Sequence, residues 1–81
     1  MDSKHLTELI QEIIDLKTKD QVLDFLGWIL TPQEMEQLPT RLQIVKMLKK
    51  GIPQREIAKR LGVGIATVTR GANELKRMDA A

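Results

Sequence analysis

Gln54-Arg55-Glu56-Ile57-Ala58-Lys59-Arg60-Leu61-Gly62-Val63-Gly64-Ile65-Ala66-Thr67-Val68-Thr69-Arg70 reads as two short helices meeting at a glycine turn. Ile57 and Leu61 on the first helix, and Ile65 and Val68 on the second, have the spacing to pack against each other. Ala58 is small enough to let the helices cross closely, and Gly62 suits the left-handed backbone that ends a helix. This is the layout of a helix-turn-helix, whose second helix enters the DNA major groove. An ordinary αα-corner shares parts of this pattern, but not the small residue, the turn glycine and the apolar spacing together.

Outward from that stretch the whole chain reads as helix. Leu6, Leu9, Ile10, Ile13 and Ile14 follow the spacing of one apolar helix face. Thr18 with Gln21 is a capping-box pattern opening a second helix along Val22, Phe25, Leu26 and Ile29. Leu23, Trp28 and Leu30 lie off that stripe, so this helix is apolar on more than one side and Trp28 reads as a core residue. Thr31-Pro32-Gln33-Glu34 opens a third helix, which Pro39 is expected to end by disfavouring helix at Leu38. A fourth is expected from Thr40 to Lys50, closed by Gly51, with Leu42, Ile44, Val45, Met47 and Leu48 again covering two sides. The motif helices follow, over about 54–61 and 65–76, and Arg77–Ala81 is expected to fray. The expectation is an all-α chain of six helices in one domain, 1–81, with 1–50 for dimerisation and 54–76 as the helix-turn-helix.

Composition narrows the function. A chain of 81 residues hides only about 60–65% of its unfolded surface on folding, and chains of this size often complete their core by dimerising. There is no cysteine, and His5 is the one histidine, so disulfides, thiolate metal sites and His-centred catalysis are excluded. Carboxylates are plentiful but lie on amphipathic faces, with no Gly-rich phosphate loop, so the chain does not read as an enzyme. No apolar run reaches membrane-spanning length, and Met1-Asp2-Ser3 does not resemble a signal peptide. A cytoplasmic protein with no membrane partner is expected. Residues 1–38 carry three basic and eight acidic side chains, a net −5, whereas residues 39–81 carry ten basic and three acidic, a net +7. A basic half that contains a helix-turn-helix is the electrostatic footprint of a nucleic-acid surface.

From Leu30 to Lys76 the chain resembles the tryptophan repressor family. The resemblance rests on Leu30-Thr31-Pro32, Thr40-Arg41 with Ile44-Val45, Gln54-Arg55-Glu56, and Gly64-Ile65-Ala66-Thr67-Val68-Thr69-Arg70-Gly71 with Asn73 and Leu75-Lys76. It implies a six-helix intertwined homodimeric bundle on a palindromic operator of double-stranded DNA. Two recognition helices would stand about 34 Å apart, a spacing for which this family is itself a reference case.

By that resemblance Ile65, Ala66, Thr67 and Thr69 face the groove, Gln54 and Arg55 contact phosphates and bases, and Lys59 adds positive charge. Ala58 stands where well-known members carry a basic residue. None of the groove-facing side chains can make a bidentate arginine–guanine contact. Bridging water and DNA shape are then expected to carry much of the specificity, a mode for which this family is again the reference case. The amides opening the second helix, with Gly64 before them, favour a nearby phosphate.

The resemblance also implies a ligand site. Arg41 and Arg70 match the two arginines that flank the corepressor, Gly71 leaves room for an indole, Ile44 packs on it, and Leu30 and Thr31 face its polar end. Glu74 stands where tryptophan-binding members place a serine. No cofactor is required, and L-tryptophan as corepressor, another small amino-acid ligand, or none all stay open. The function implied is a sequence-specific transcriptional repressor. Its rivals are a ligand-independent DNA-binding accessory domain and a helical protein-interaction module.

Overall fold

The computed structural model describes residues 3–80. Among them it forms five α-helices and no strand: α1 (Ser3–Ile14), α2 (Lys19–Ile29), α3 (Pro32–Lys49), α4 (Gln54–Leu61) and α5 (Ile65–Ala80). The chain divides into two compact units, Met1–Met35 and Glu36–Ala81.

The first unit holds α1, α2 and the opening turn of α3. Thr18 caps α2 by accepting from the Gln21 N–H at 3.1 Å, while Gln21 Oε1 accepts from the Lys17 N–H at 2.8 Å. Thr31 makes both halves of a capping box at α3: its N–H donates to Glu34 Oε1 at 2.8 Å and its Oγ1 accepts from the Glu34 N–H at 3.2 Å. Caps of this kind fix where helices start, but they bury nothing. Neither α1 nor α2 contains a buried residue. Trp28 is 84% exposed, against the expectation of a core position, and Ile10, Ile13, Leu23 and Ile29 of the same unit are exposed too. The reason is geometric. α2 is apolar on more than one side, and two helices cannot enclose a side chain on a face that neither covers.

The second unit comprises the rest of α3 with α4 and α5. Pro39 does not end a helix as expected; it lies inside α3, so five helices form rather than six. A helix-interior proline loses one N–H···O=C bond and crowds the carbonyl four residues back, at about 3 kcal/mol. Here the capping box on one side of Pro39 and the burial of Ile44 on the other hold both flanks helical. The proline removes a bond, not the helix.

α3 ends in a Schellman motif. Gly51, at φ 80°, donates to the Leu48 carbonyl at 3.0 Å, and Ile52 donates to the Met47 carbonyl at 3.1 Å. Ile44, Ile57 and Val68, one from each helix, form the buried centre of the unit, and Met47, Leu48, Ile52, Leu61 and Val63 pack around them. Ala72 is buried one turn beyond Val68. Val68 and Ala72 set the inward line of α5, and Ile65, on the first turn past the end of α4, is left 49% exposed instead of packed against Ile57. α5 continues through Ala80 rather than ending near Lys76, with a Glu74–Arg77 ion pair on its last turns; Ala81 lies outside the described residues.

Candidate nucleic-acid interface and ligand groove

α4 starts directly after Pro53, which supplies no side-chain cap. Gln54 is half-buried and Arg55 exposed at that first turn. Gly62 ends α4 in the left-handed region at φ 66°, and the Val63 N–H reaches back to the Ala58 carbonyl at 3.1 Å. An L-residue with a Cβ resists that conformation, so the glycine lets the chain reverse within the few residues before α5. α5 opens on Ile65, Ala66 and Thr67, all exposed, with the Thr67 N–H bonded to the Gly64 carbonyl at 3.1 Å.

Ile57 and Val68, both fully buried, clamp α4 to α5 and fix the angle at which this tip is presented. The turn therefore shows an uncharged helix end with exposed Arg55, Lys59 and Arg70 in the same unit. Arg60 differs from them, because its Nε holds Glu56 Oε1 at 3.0 Å along α4. One contact was not foreseen from the sequence. Thr69 Oγ1 donates to Gln54 Oε1 at 2.8 Å, across fifteen residues of chain. A signal for it existed, since Gln54 lies one turn before buried Ile57 and Thr69 directly follows buried Val68.

Of the residues expected around a ligand, Arg41 and Ile44 on α3 and Arg70, Gly71 and Glu74 on α5 line one open groove of about 930 Å³. Two guanidinium groups on separate helices can take a planar ring or a carboxylate, and Val45 and Leu75 supply apolar wall. Ile44 is only 2% exposed, so it belongs first to the core and offers the groove little more than an edge. The Glu74 carboxylate pairs with the Arg77 guanidinium on the same helix. Leu30 and Thr31 lie in the first unit, as the C-cap of α2 and the capping residue of α3.

A family model described as Trp repressor protein matches residues 4–81. The chain belongs to the Trp repressor family. A protein of Vibrio vulnificus titled Trp operon repressor homolog is 45% identical over 76 residues, covering 93% of this chain and 72% of the relative. Homologs with the same title are 51% identical in Actinobacillus succinogenes, over 69% of this chain and 56% of the relative, and 40% identical in Vibrio cholerae, over 90% and 69%. Membership of the Trp repressor family makes this chain a DNA-binding transcriptional regulator and not an enzyme. Among the described residues no group of acidic or histidine side chains is placed to hold a metal ion, and no helix is long and apolar enough to cross a membrane.

Proposed function

We propose that this chain represses transcription as a homodimer bound to a palindromic operator, with L-tryptophan as the corepressor in the groove of α3 and α5. The observation that carries the DNA reading is the exposed, uncharged opening of α5 at Ile65, Ala66 and Thr67, clamped to α4 through Ile57 and Val68. In this reading Gln54, Arg55, Lys59 and Gly64 anchor the backbone, and Ile65, Ala66, Thr67 and Thr69 face the bases. Methyl groups of Ile65 and Ala66 suit the thymine methyl, and positive charge from Arg55 and Lys59 displaces counterions from phosphates.

The dimer reading is supported by the first unit. No side chain of α1 or α2 is fully buried, and Leu6, Ile10, Ile13, Leu23, Trp28 and Ile29 are exposed. So many large apolar side chains left exposed on two short helices suit a second copy as their cover. Residues 1–50 form that interface, 54–76 form the reading head, and the whole of 1–81 acts as one DNA-binding domain.

The corepressor reading is supported by Arg41 on α3 and Arg70 on α5 lining one groove and by the relatives titled for the Trp operon. Ile44, Gly71 and Glu74 complete the contacts assigned within that groove. The ligand acts by its differential affinity for head orientations that fit the groove of DNA. A ligand-independent regulator is the second reading, favoured by the Glu74 carboxylate already standing in the groove. The deciding experiment selects bound sequences from a randomised duplex pool with and without L-tryptophan. Enrichment of a palindrome only with ligand supports the full reading, and enrichment of the same palindrome in both arms supports the ligand-independent one. No enrichment in either arm overturns the DNA reading.

A further inference from the structure

The Thr69–Gln54 hydrogen bond leaves Thr69 without a proton to donate and leaves Gln54 both of its NH2 donors. A threonine hydroxyl has one proton to donate and lone pairs to accept, while a glutamine amide has an acceptor oxygen and an NH2 with two donors. In the structure the Thr69 proton is spent on Gln54 Oε1, at 2.8 Å. Thr69 therefore keeps only acceptor capacity, while Gln54 keeps both NH2 donors and one further lone pair on Oε1. Phosphate oxygens donate nothing, so Thr69 in this state cannot bond a phosphate, whereas Gln54 can. The bond joins α4 to α5, unlike the Glu56–Arg60 and Glu74–Arg77 pairs, which each stay within one helix.

We infer that Thr69 is a positioning residue for Gln54: its hydroxyl locks the Gln54 amide with the NH2 turned to a phosphate oxygen of the duplex. This rests on the DNA-binding reading above and deepens it. The lock also removes the rotational freedom that a long side chain at the start of α4 would otherwise lose on binding, and pre-ordering of that kind strengthens association. Because Gln54 is neutral, its contact orients without releasing an extra counterion.

The test is a double-variant cycle on the full chain with its selected duplex, using Thr69→Val, Gln54→Ala and both together. Thr69→Val keeps the shape and removes the proton; Thr69→Ser restores the hydroxyl and serves as the rescue. Affinity should fall about tenfold in Thr69→Val and return with Thr69→Ser, Thr69→Val should cost nothing further once Gln54 is alanine, and the salt slope should stay unchanged. Additive losses, or a Thr69→Val protein that binds normally, overturn the inference. A readout without DNA separates the two levels of the argument. In the free protein the Gln54 side-chain amide protons should shift in the NMR spectrum on Thr69→Val, and an unchanged signal overturns the lock. A chain that shows this shift yet ignores every duplex overturns the DNA reading, and the proposed role of the lock falls with it.

Discussion

Gly71 lies so close to Ile44 that a Cβ on it would meet Ile44 Cγ2 at 3.0 Å. Ile44 cannot easily retreat, because it is 2% exposed and packed with Ile57 and Val68. The glycine that the family resemblance reserves for an indole is therefore also what lets α3 and α5 approach.

Gly71→Ala sets two effects against each other. Alanine gains about 1 kcal/mol of helix propensity, while overpacking against a buried isoleucine costs about 1–3 kcal/mol. The expected net is a destabilisation of about 1 kcal/mol, read as a lower urea midpoint with an unchanged slope. A stabilised variant would show that Ile44 moves freely.

Arg55 and Arg60 should separate in a salt titration. Arg55 is exposed at the first turn of α4, while Arg60 is held by Glu56 at 3.0 Å. Arg55→Ala should lower the slope of log affinity against log salt by about one per chain and weaken all duplexes alike. Arg60→Ala should change the slope less. Equal slopes for the two variants would place both side chains on the same footing at the phosphates.

Leu23→Asp tests the pairing of chains. If Leu23 and its neighbours lie under a second copy, a carboxylate there goes into apolar surroundings unpaired and should raise the dimer dissociation constant more than about a hundredfold. Sedimentation gives the mass, and Trp28, the single tryptophan, gives an emission maximum that shifts to the red when its cover is lost. A Leu23→Asp protein that sediments as wild type would place the interface elsewhere.

Glu74→Gln addresses the ligand. Removing one negative charge from the groove while keeping the side chain's size should tighten L-tryptophan about three- to tenfold, since the ligand's carboxylate no longer faces a like charge. Calorimetry measures this directly. Weaker binding in the variant would assign Glu74 to the ligand's ammonium group instead.

Gly62→Ala should cost about 1 kcal/mol, because φ 66° is strained for any residue with a Cβ. Open space surrounds the position, so the loss reports backbone strain and not a clash. Urea unfolding shows it, and a neutral result would mean that the turn relaxes out of the left-handed region.

The sequence was most legible where local chemistry decides. The Thr18 cap and the Thr31 capping box, the ends of α4 at Gln54 and Leu61, and the left-handed Gly62 form as their residue types require, although Gln21 reaches the Lys17 N–H and not that of Thr18. It was less legible where one local preference competes with packing. Pro39 is a helix breaker by itself, yet helix persists through it because both flanks are fixed elsewhere. Ile65 has the right spacing for the core, but the end of α4 leaves nothing over it. Trp28 has the character of a core residue and no neighbour in its own chain to bury it. At the candidate site the residue types were readable, and the direction of the Thr69–Gln54 bond was not, because no spacing rule says which of two polar groups gives its proton.

The lack of any buried side chain on α1 and α2 reaches beyond architecture. Segments with so little internal shielding open readily to proteases when alone. If the proposed pairing of two copies covers these helices, a newly made chain would be short-lived until it meets another, and the cellular stock of this regulator would rise more steeply than its rate of synthesis.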